Sequence, residues 1–196
     1  MRYILYSIGS VCNMNCSYCF REEHSSKVPN FEELISDCKH FRVYLDSLSD
    51  CDEKIALSGG EPTLVKNLEK LYDVLISDNT KIIQLNSNMT ANSDVYNSLY
   101  EYAKSKNLKF RLVGSLHEEF MSFEKYCEKT EQIKFNFFPQ LVATETNEEL
   151  VEMFKNRFPN AIISPMRKRG EPPSSVNNPD GLYVKTFGKD PHRRSD

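Results

Sequence analysis

The chain has 196 residues, 39% apolar and 27% charged, which is enough apolar content for a packed core and too much for wholesale disorder. Twenty-five basic residues against 28 acidic ones leave a formal net charge of -3, which argues against a general nucleic-acid binder. No apolar run approaches the roughly 18 residues of a membrane span. Met1 to Ile8 also lacks the charged, apolar and cleavage segments of a secretory signal, so the expectation is a cytoplasmic protein.

Short β-type runs recur with amphipathic helical patterns between them. The first run, near Tyr3 (YILYSIG), leads directly into Cys12, Cys16 and Cys19, three of the six cysteines within eight residues. Asn30 then caps a predicted helix in which Phe31, Leu34, Ile35, Cys38, Phe41, Leu45 and Leu48 repeat in steps of three and four. A second run, near Lys54 (KIAL), ends in Gly59-Gly60-Glu61-Pro62 and is followed by the stripe Val65, Leu68, Leu71, Tyr72 and Leu75. The third, near Lys81 (KIIQLN), ends in Asn86-Ser87-Asn88, and Ser93 is the expected cap of the helix carrying Val95, Leu99, Tyr102 and Ala103. The fourth, near Lys109 (KFRLVGS), ends in Ser115-Leu116-His117 and precedes a short helix around Phe123, Tyr126 and Cys127. The fifth, near Lys134 (KFNFFPQ), places Pro139 and Gln140 at its end and feeds a helix with Leu150, Val151, Phe154 and Phe158 behind Asn147. The sixth begins near Asn160 (NAIIS).

Four of the five steps between these runs are 25 to 28 residues, the length of one strand–helix unit. Strand–helix alternation implies parallel strands joined by right-handed crossovers. The fold class is therefore α/β, either an open doubly wound sheet or an incomplete barrel. In both, function belongs at the C-terminal ends of the strands. Residues 1–166 form the expected domain, and residues 167–196 a proline- and glycine-rich, locally basic tail with a candidate short strand at Leu182 to Thr186.

Clustered cysteines in a reducing compartment indicate metal or cluster ligation before crosslinking. Three thiolates in one loop suit an iron–sulfur cluster and leave one iron of a cubane open, the mark of a catalytic site. Structural zinc stays open as an alternative, with His24 or Cys38 as a fourth ligand. An electron-transfer ferredoxin would want a fourth cysteine. Cys38, Cys51 and Cys127 are expected to be small packed residues. The adjacent glycines of Gly59-Gly60-Glu61-Pro62 let backbone approach a ligand closely, with Glu61 as an added acceptor and Pro62 fixing the turn.

The three-cysteine loop, with Tyr18 before its last cysteine and Phe20 after it, followed some 40 residues later by Gly-Gly-Glu-Pro, resembles the radical S-adenosylmethionine superfamily over residues 3 to about 166. The resemblance implies a partial (βα)6 TIM-like barrel. It implies a [4Fe–4S] cluster on Cys12, Cys16 and Cys19, with S-adenosylmethionine chelated at the open iron. Reductive cleavage of that cofactor would give a 5′-deoxyadenosyl radical that takes hydrogen from a substrate, making the protein an oxidoreductase or transferase. By the same resemblance Tyr18 lies near the adenine, Gly59, Gly60, Glu61 and Pro62 meet the methionyl amino group, and Asn86 and Asn88 touch the ribose. Ser115 supplies a further polar contact. A departure is Met89, which stands where the family usually has glycine.

The substrate class implied is a peptide, protein or nucleotide, with an external electron donor such as flavodoxin or ferredoxin. A glycyl-radical-enzyme activase is the alternative within the class, and a non-catalytic iron–sulfur scaffold or carrier the alternative outside it. No cysteine follows Cys127, so no auxiliary-cluster domain is expected, and 196 residues leave no expected room for a separate peptide-recognition domain. Two further expectations are that a bulky residue at Gly60 spares iron while weakening cofactor binding, and that the tail helps to close the site.

Overall fold

The computed structural model describes residues 1–19, 25, 27–48, 50–144 and 146–165. Its elements alternate strictly: β1 (Arg2–Ser7), α1 (Phe31–Asp46), β2 (Glu53–Ser58), α2 (Leu68–Leu75), β3 (Thr80–Ser87), α3 (Ser93–Ser105), β4 (Lys109–Leu116), α4 (Phe123–Glu131), β5 (Phe138–Ala143), α5 (Glu148–Arg157) and β6 (Ile162–Pro165). The six strands form one sheet in sequence order, and every neighbouring pair is parallel. One cavity is lined from Ser58 on β2 to Ile162 on β6, so the sheet is curled into a partial barrel with its concave face inward. The expected tail, with its strand at Leu182 to Thr186, lies outside the described residues, as do Phe20 and His24.

Period-two alternation explains both faces. Ile4, Ile55, Leu57, Ile83, Leu85, Leu112, Leu116 and Leu141 point to the helices and form the core with Leu34, Leu45, Leu71, Tyr72, Leu99 and Phe154. Each such buried aliphatic side chain stabilises the fold by about 1.5–3 kcal/mol relative to exposure. The intervening residues, among them Gln84, Asn86, Val113, Ser115, Gln140 and Val142, face the cavity. The strands thus carry an apolar outer face for folding and a mixed inner face for chemistry.

Asn30 caps α1 as expected, its side chain accepting from the amides of Glu32 and Glu33. Two other expectations are corrected. The cap of α3 is Asn92, which accepts from Asp94 N–H, while Ser93 is buried and bonds outward to Gln132 and the Lys129 carbonyl. The fifth strand begins at Phe138 rather than near Lys134, and Pro139 sits within it, buried on the side away from the cavity. The reason is Phe135, which stacks on Tyr100 at 4.7 Å and meets Phe110 edge-on at 5.3 Å. That aromatic cluster holds the segment under α3 and β4, out of the sheet.

Candidate active site

The cavity of about 470 Å³ lies at the C-terminal ends of the strands. Cys12, Cys16 and Cys19 all line it, together with Met14 and Tyr18 from the same loop. The loop is fastened across the barrel mouth at two points. Toward β3, Asn13 donates to Thr90 Oγ1 at 2.9 Å and accepts from Asn88 Nδ2 at 2.9 Å, while Asn88 Nδ2 lies 3.9 Å from Cys12 Sγ. Toward β4, the Ser17 amide donates to Glu119 at 2.8 Å, and the Ser17 hydroxyl bonds the same carboxylate. His117 Nδ1 lies 3.3 Å from Cys16 Sγ and 3.1 Å from the Tyr18 hydroxyl, with the imidazole and phenol rings stacked 5.9 Å apart.

Electrostatics in the protein alone oppose thiolate. Burial raises the Cys12 thiol above its ordinary value and pushes Cys16 up to about 11, with neighbouring Glu119 adding to the second shift. A metal bound there would reverse that preference, because a coordinating thiol is deprotonated outright. Burial also lowers the His117 pKa, which favours the neutral imidazole.

The glycine turn is packed against this loop. The Gly60 amide donates to the Gly9 carbonyl at 3.0 Å and the Glu61 amide to the Val11 carbonyl at 2.7 Å, so the β1–β2 pairing runs on past both strand ends. A Cβ at Gly60 would lie 1.9 Å from the Val11 carbonyl oxygen and 3.0 Å from Cys12 Cβ. Gly59 has φ +143°, and a Cβ there would meet the Gly9 carbonyl at 2.7 Å. These glycines bring backbone against the cysteine loop as well as exposing it to the cavity. The expectation that a bulky residue at Gly60 spares the iron site is therefore corrected, since the added atoms collide with the segment carrying Cys12.

Glu61 and Pro62 lie behind the cavity wall, both buried. Glu61 accepts from Thr63 N–H at 3.0 Å and from the Thr63 hydroxyl at 2.6 Å. It accepts also from the Ser87 hydroxyl at 2.9 Å and from Asn88 N–H at 2.5 Å. It thereby ties the end of β2 to the end of β3 and sets Asn88 against the cysteine loop. Burial raises its pKa, and the hydrogen bonds from Thr63, Asn88 and Ser87 oppose that rise.

Asn86, Asn88 and Ser115 line the cavity with Gly59, Gly60 and Tyr18, so six of the eight expected cofactor-side residues share one wall system. Cys38, Cys51 and Cys127 do not line it, and Cys38 is fully buried on α1. Among the described residues, no three histidine, cysteine, aspartate or glutamate side chains gather as closely as a single metal ion requires. A polynuclear cluster, each iron held by its own cysteine, sets its ligands farther apart. Three thiols on one loop, facing a cavity that contains no fourth cysteine, fit a cluster with one iron left open. Sequence reasoning passed over Gln84, although a lone amide in the apolar run KIIQLN, in phase with Asn86, was the signal for an inward polar residue.

The family model described as the Radical SAM superfamily matches residues 6–132. A 7-carboxy-7-deazaguanine synthase from Clostridium acetobutylicum is 24% identical over 173 residues, covering 85% of this chain and 74% of that protein. A GTP 3′,8-cyclase from Desulforamulus reducens is 34% identical over 83 residues, covering 42% of this chain and 25% of the cyclase. The solved structure of histidine-tagged anSMEcpe with bound AdoMet shares the fold with a TM-score of 0.61 at 21% identity, covering 85% of this chain and 51% of that one. The chain thus spans about half of that structure and a quarter of the cyclase.

Proposed function

The chain belongs to the Radical SAM superfamily, an enzyme family that uses a [4Fe–4S] cluster and S-adenosylmethionine, and from that premise we propose that Cys12, Cys16 and Cys19 hold the cluster over this cavity. The carrying observation is that all three thiols open onto the same cavity as Gly59, Gly60, Asn88 and Ser115. Bound there, the cluster and S-adenosylmethionine would supply one-electron reductive cleavage of the sulfonium, giving methionine and a 5′-deoxyadenosyl group able to take a hydrogen atom from the substrate.

The chain's own residues bind and orient. Gly59 and Gly60 let the β2 end approach the cofactor, while Asn88 and Ser115 offer neutral hydrogen-bonding groups on either side. Tyr18 supplies an aromatic face, held in place by its bond to His117. Glu61 and Pro62 act from behind as positioning residues. Electrons come from an external donor such as a flavodoxin or ferredoxin. The names of the relatives, a deazaguanine synthase and a GTP cyclase, favour a nucleotide-like substrate among the classes weighed from the sequence.

Anaerobically reconstituted protein should hold about four irons and four sulfides per chain. Alanine at Cys12, Cys16 or Cys19 should abolish that content, and alanine at Cys38, Cys51 or Cys127 should not. S-adenosylmethionine should change the electron paramagnetic resonance spectrum of the reduced cluster. Stoichiometric zinc without sulfide, or a spectrum indifferent to the cofactor, would refute this function.

A further inference from the structure

Two carboxamides meet on the inner face of β3. Gln84 Nε2 donates to Asn86 Oδ1 at 2.7 Å and to the Tyr3 hydroxyl at 3.3 Å, which uses both of its donors. Among the described residues, Gln84 Oε1 and Asn86 Nδ2 have no partner. Gln84 is 5% exposed and lines the cavity. A buried acceptor left without a donor is costly, and a ligand seated in the cavity would satisfy it. Exchanging oxygen and nitrogen in the amides changes nothing here. Two carboxamides bonded to each other leave one carbonyl and one amino group for a third partner in either orientation.

The surroundings are neutral. Among the described residues, no lysine, arginine, aspartate or glutamate lines the cavity. Ser115 bonds Gln140 at 3.3 Å, Gln140 donates to Ser164 at 2.9 Å, and Val113, Val142 and Ile162 supply apolar wall. Depth separates this pair from the cofactor's contacts. Asn88 is engaged with the cysteine loop, and the strand rise sets Asn86 about 7 Å and Gln84 about 13 Å farther toward the barrel floor.

Resting on the function proposed above, we propose that Gln84 and Asn86 form a docking edge for the substrate, which presents an N–H beside a C=O, as a six-membered ring lactam does. A trans peptide bond points its N–H and C=O in opposite directions and cannot meet both groups with one edge. A ring lactam is locked cis, and its flat apolar faces suit the valine and isoleucine walls. Asn86, expected beside the ribose, then serves the substrate from the level below.

The test uses reconstituted protein with S-adenosylmethionine bound and equilibrium dialysis against three probes: hypoxanthine, 1-methylhypoxanthine and benzamide. Hypoxanthine should bind about tenfold more tightly than its methylated form, the discrimination expected of a two-point hydrogen-bonded edge. Gln84→Met should shrink that ratio to about twofold or less while the cluster's spectral response to the cofactor persists, and Asn86→Leu should shrink the ratio to the same extent. Equal binding of the two purines, no binding of hypoxanthine at millimolar concentration, or stronger binding of benzamide would overturn the lactam edge. Loss of the cofactor response in the wild-type protein would instead overturn the function above. Dialysis needs no turnover and decides the edge separately, and the wild-type comparison stands even if a variant fails to fold.

Discussion

Met89 shows how a single residue can depart from a family pattern without losing the geometry. Its φ is +61°, in the left-handed region that suits glycine, at a cost of roughly 1–2 kcal/mol for a side-chain-bearing residue. The side chain is fully buried, and its Sδ would lie 2.6 Å from a Cβ at Gly114. Methionine has taken the volume that a side chain on β4 would fill. Burial of that side chain outweighs the backbone strain, since removing a core methionine costs about 2–5 kcal/mol. Gly114→Ala should therefore destabilise the wild-type chain by about 1–3 kcal/mol in urea unfolding. It should cost about 1 kcal/mol less in a Met89→Ala background. Strict additivity of the two substitutions would refute the pairing. Gly60 carries a second expectation at this scale. Gly60→Ala should lower iron per chain several-fold, because the new Cβ displaces the Val11 carbonyl next to Cys12. Iron content equal to wild type would show that the loop yields freely. Sequence alone singled out Gly60 but attributed it to ligand approach, and passed over Gly114. The close contact comes from strand ends some 50 residues apart, which no local pattern records.

Among the elements, the first four strands start within a residue of where the sequence places them, because period-two alternation and flanking turns coincide there. The fifth starts later than its pattern suggests because KFNFFPQ is apolar enough for a strand, while its Phe135 belongs to the aromatic cluster with Tyr100 and Phe110. Tertiary packing decided between two locally acceptable states. A buried ion cluster at the opposite end of the barrel was invisible to pattern reasoning for the same reason. Glu53, at the start of β2, binds Arg2 of β1 at 3.0 Å and Arg42 of α1 at 2.7 Å, and Arg42 reaches the Leu75 carbonyl of α2 at 3.1 Å. Four elements are joined by one carboxylate that is 1% exposed. Glu53→Gln removes the buried charge that both guanidinium groups share, leaving Arg42 its exposed partner Asp46 at 2.7 Å, and should cost about 3 kcal/mol, read as a lower urea midpoint. Iron content at low temperature should be unchanged, since these charges lie away from the cysteine loop. An unaltered midpoint would mean that the three charges contribute no net stability.

For the whole molecule the decisive fact is an unclosed sheet. Among the described residues, six strands in sequence order leave β1 and β6 as edges, whereas eight would complete a circle. Ile162 on β6 lines the cavity and is 39% exposed, an apolar side chain at the open flank. A hydrogen-abstracting radical has to be shielded from solvent and from the protein itself, so something covers this flank during turnover. The apolar wall of Val142 and Ile162 suits a covering group with apolar surface. The sequence after β6 contains apolar Val176, Leu182, Tyr183, Val184 and Phe187, and the prediction is that this stretch supplies the cover. Truncation after Gly170 should leave iron content and the spectral response to S-adenosylmethionine intact, because the cysteine loop is fastened by Asn13, Asn88, Ser17 and Glu119 within the barrel. It should raise the ratio of 5′-deoxyadenosine to product by several-fold, as the exposed radical is quenched before it meets substrate. The ratio is measured by chromatography of both species in the same reaction. An identical ratio in truncated and full-length protein would assign the covering role to the substrate or to a partner protein.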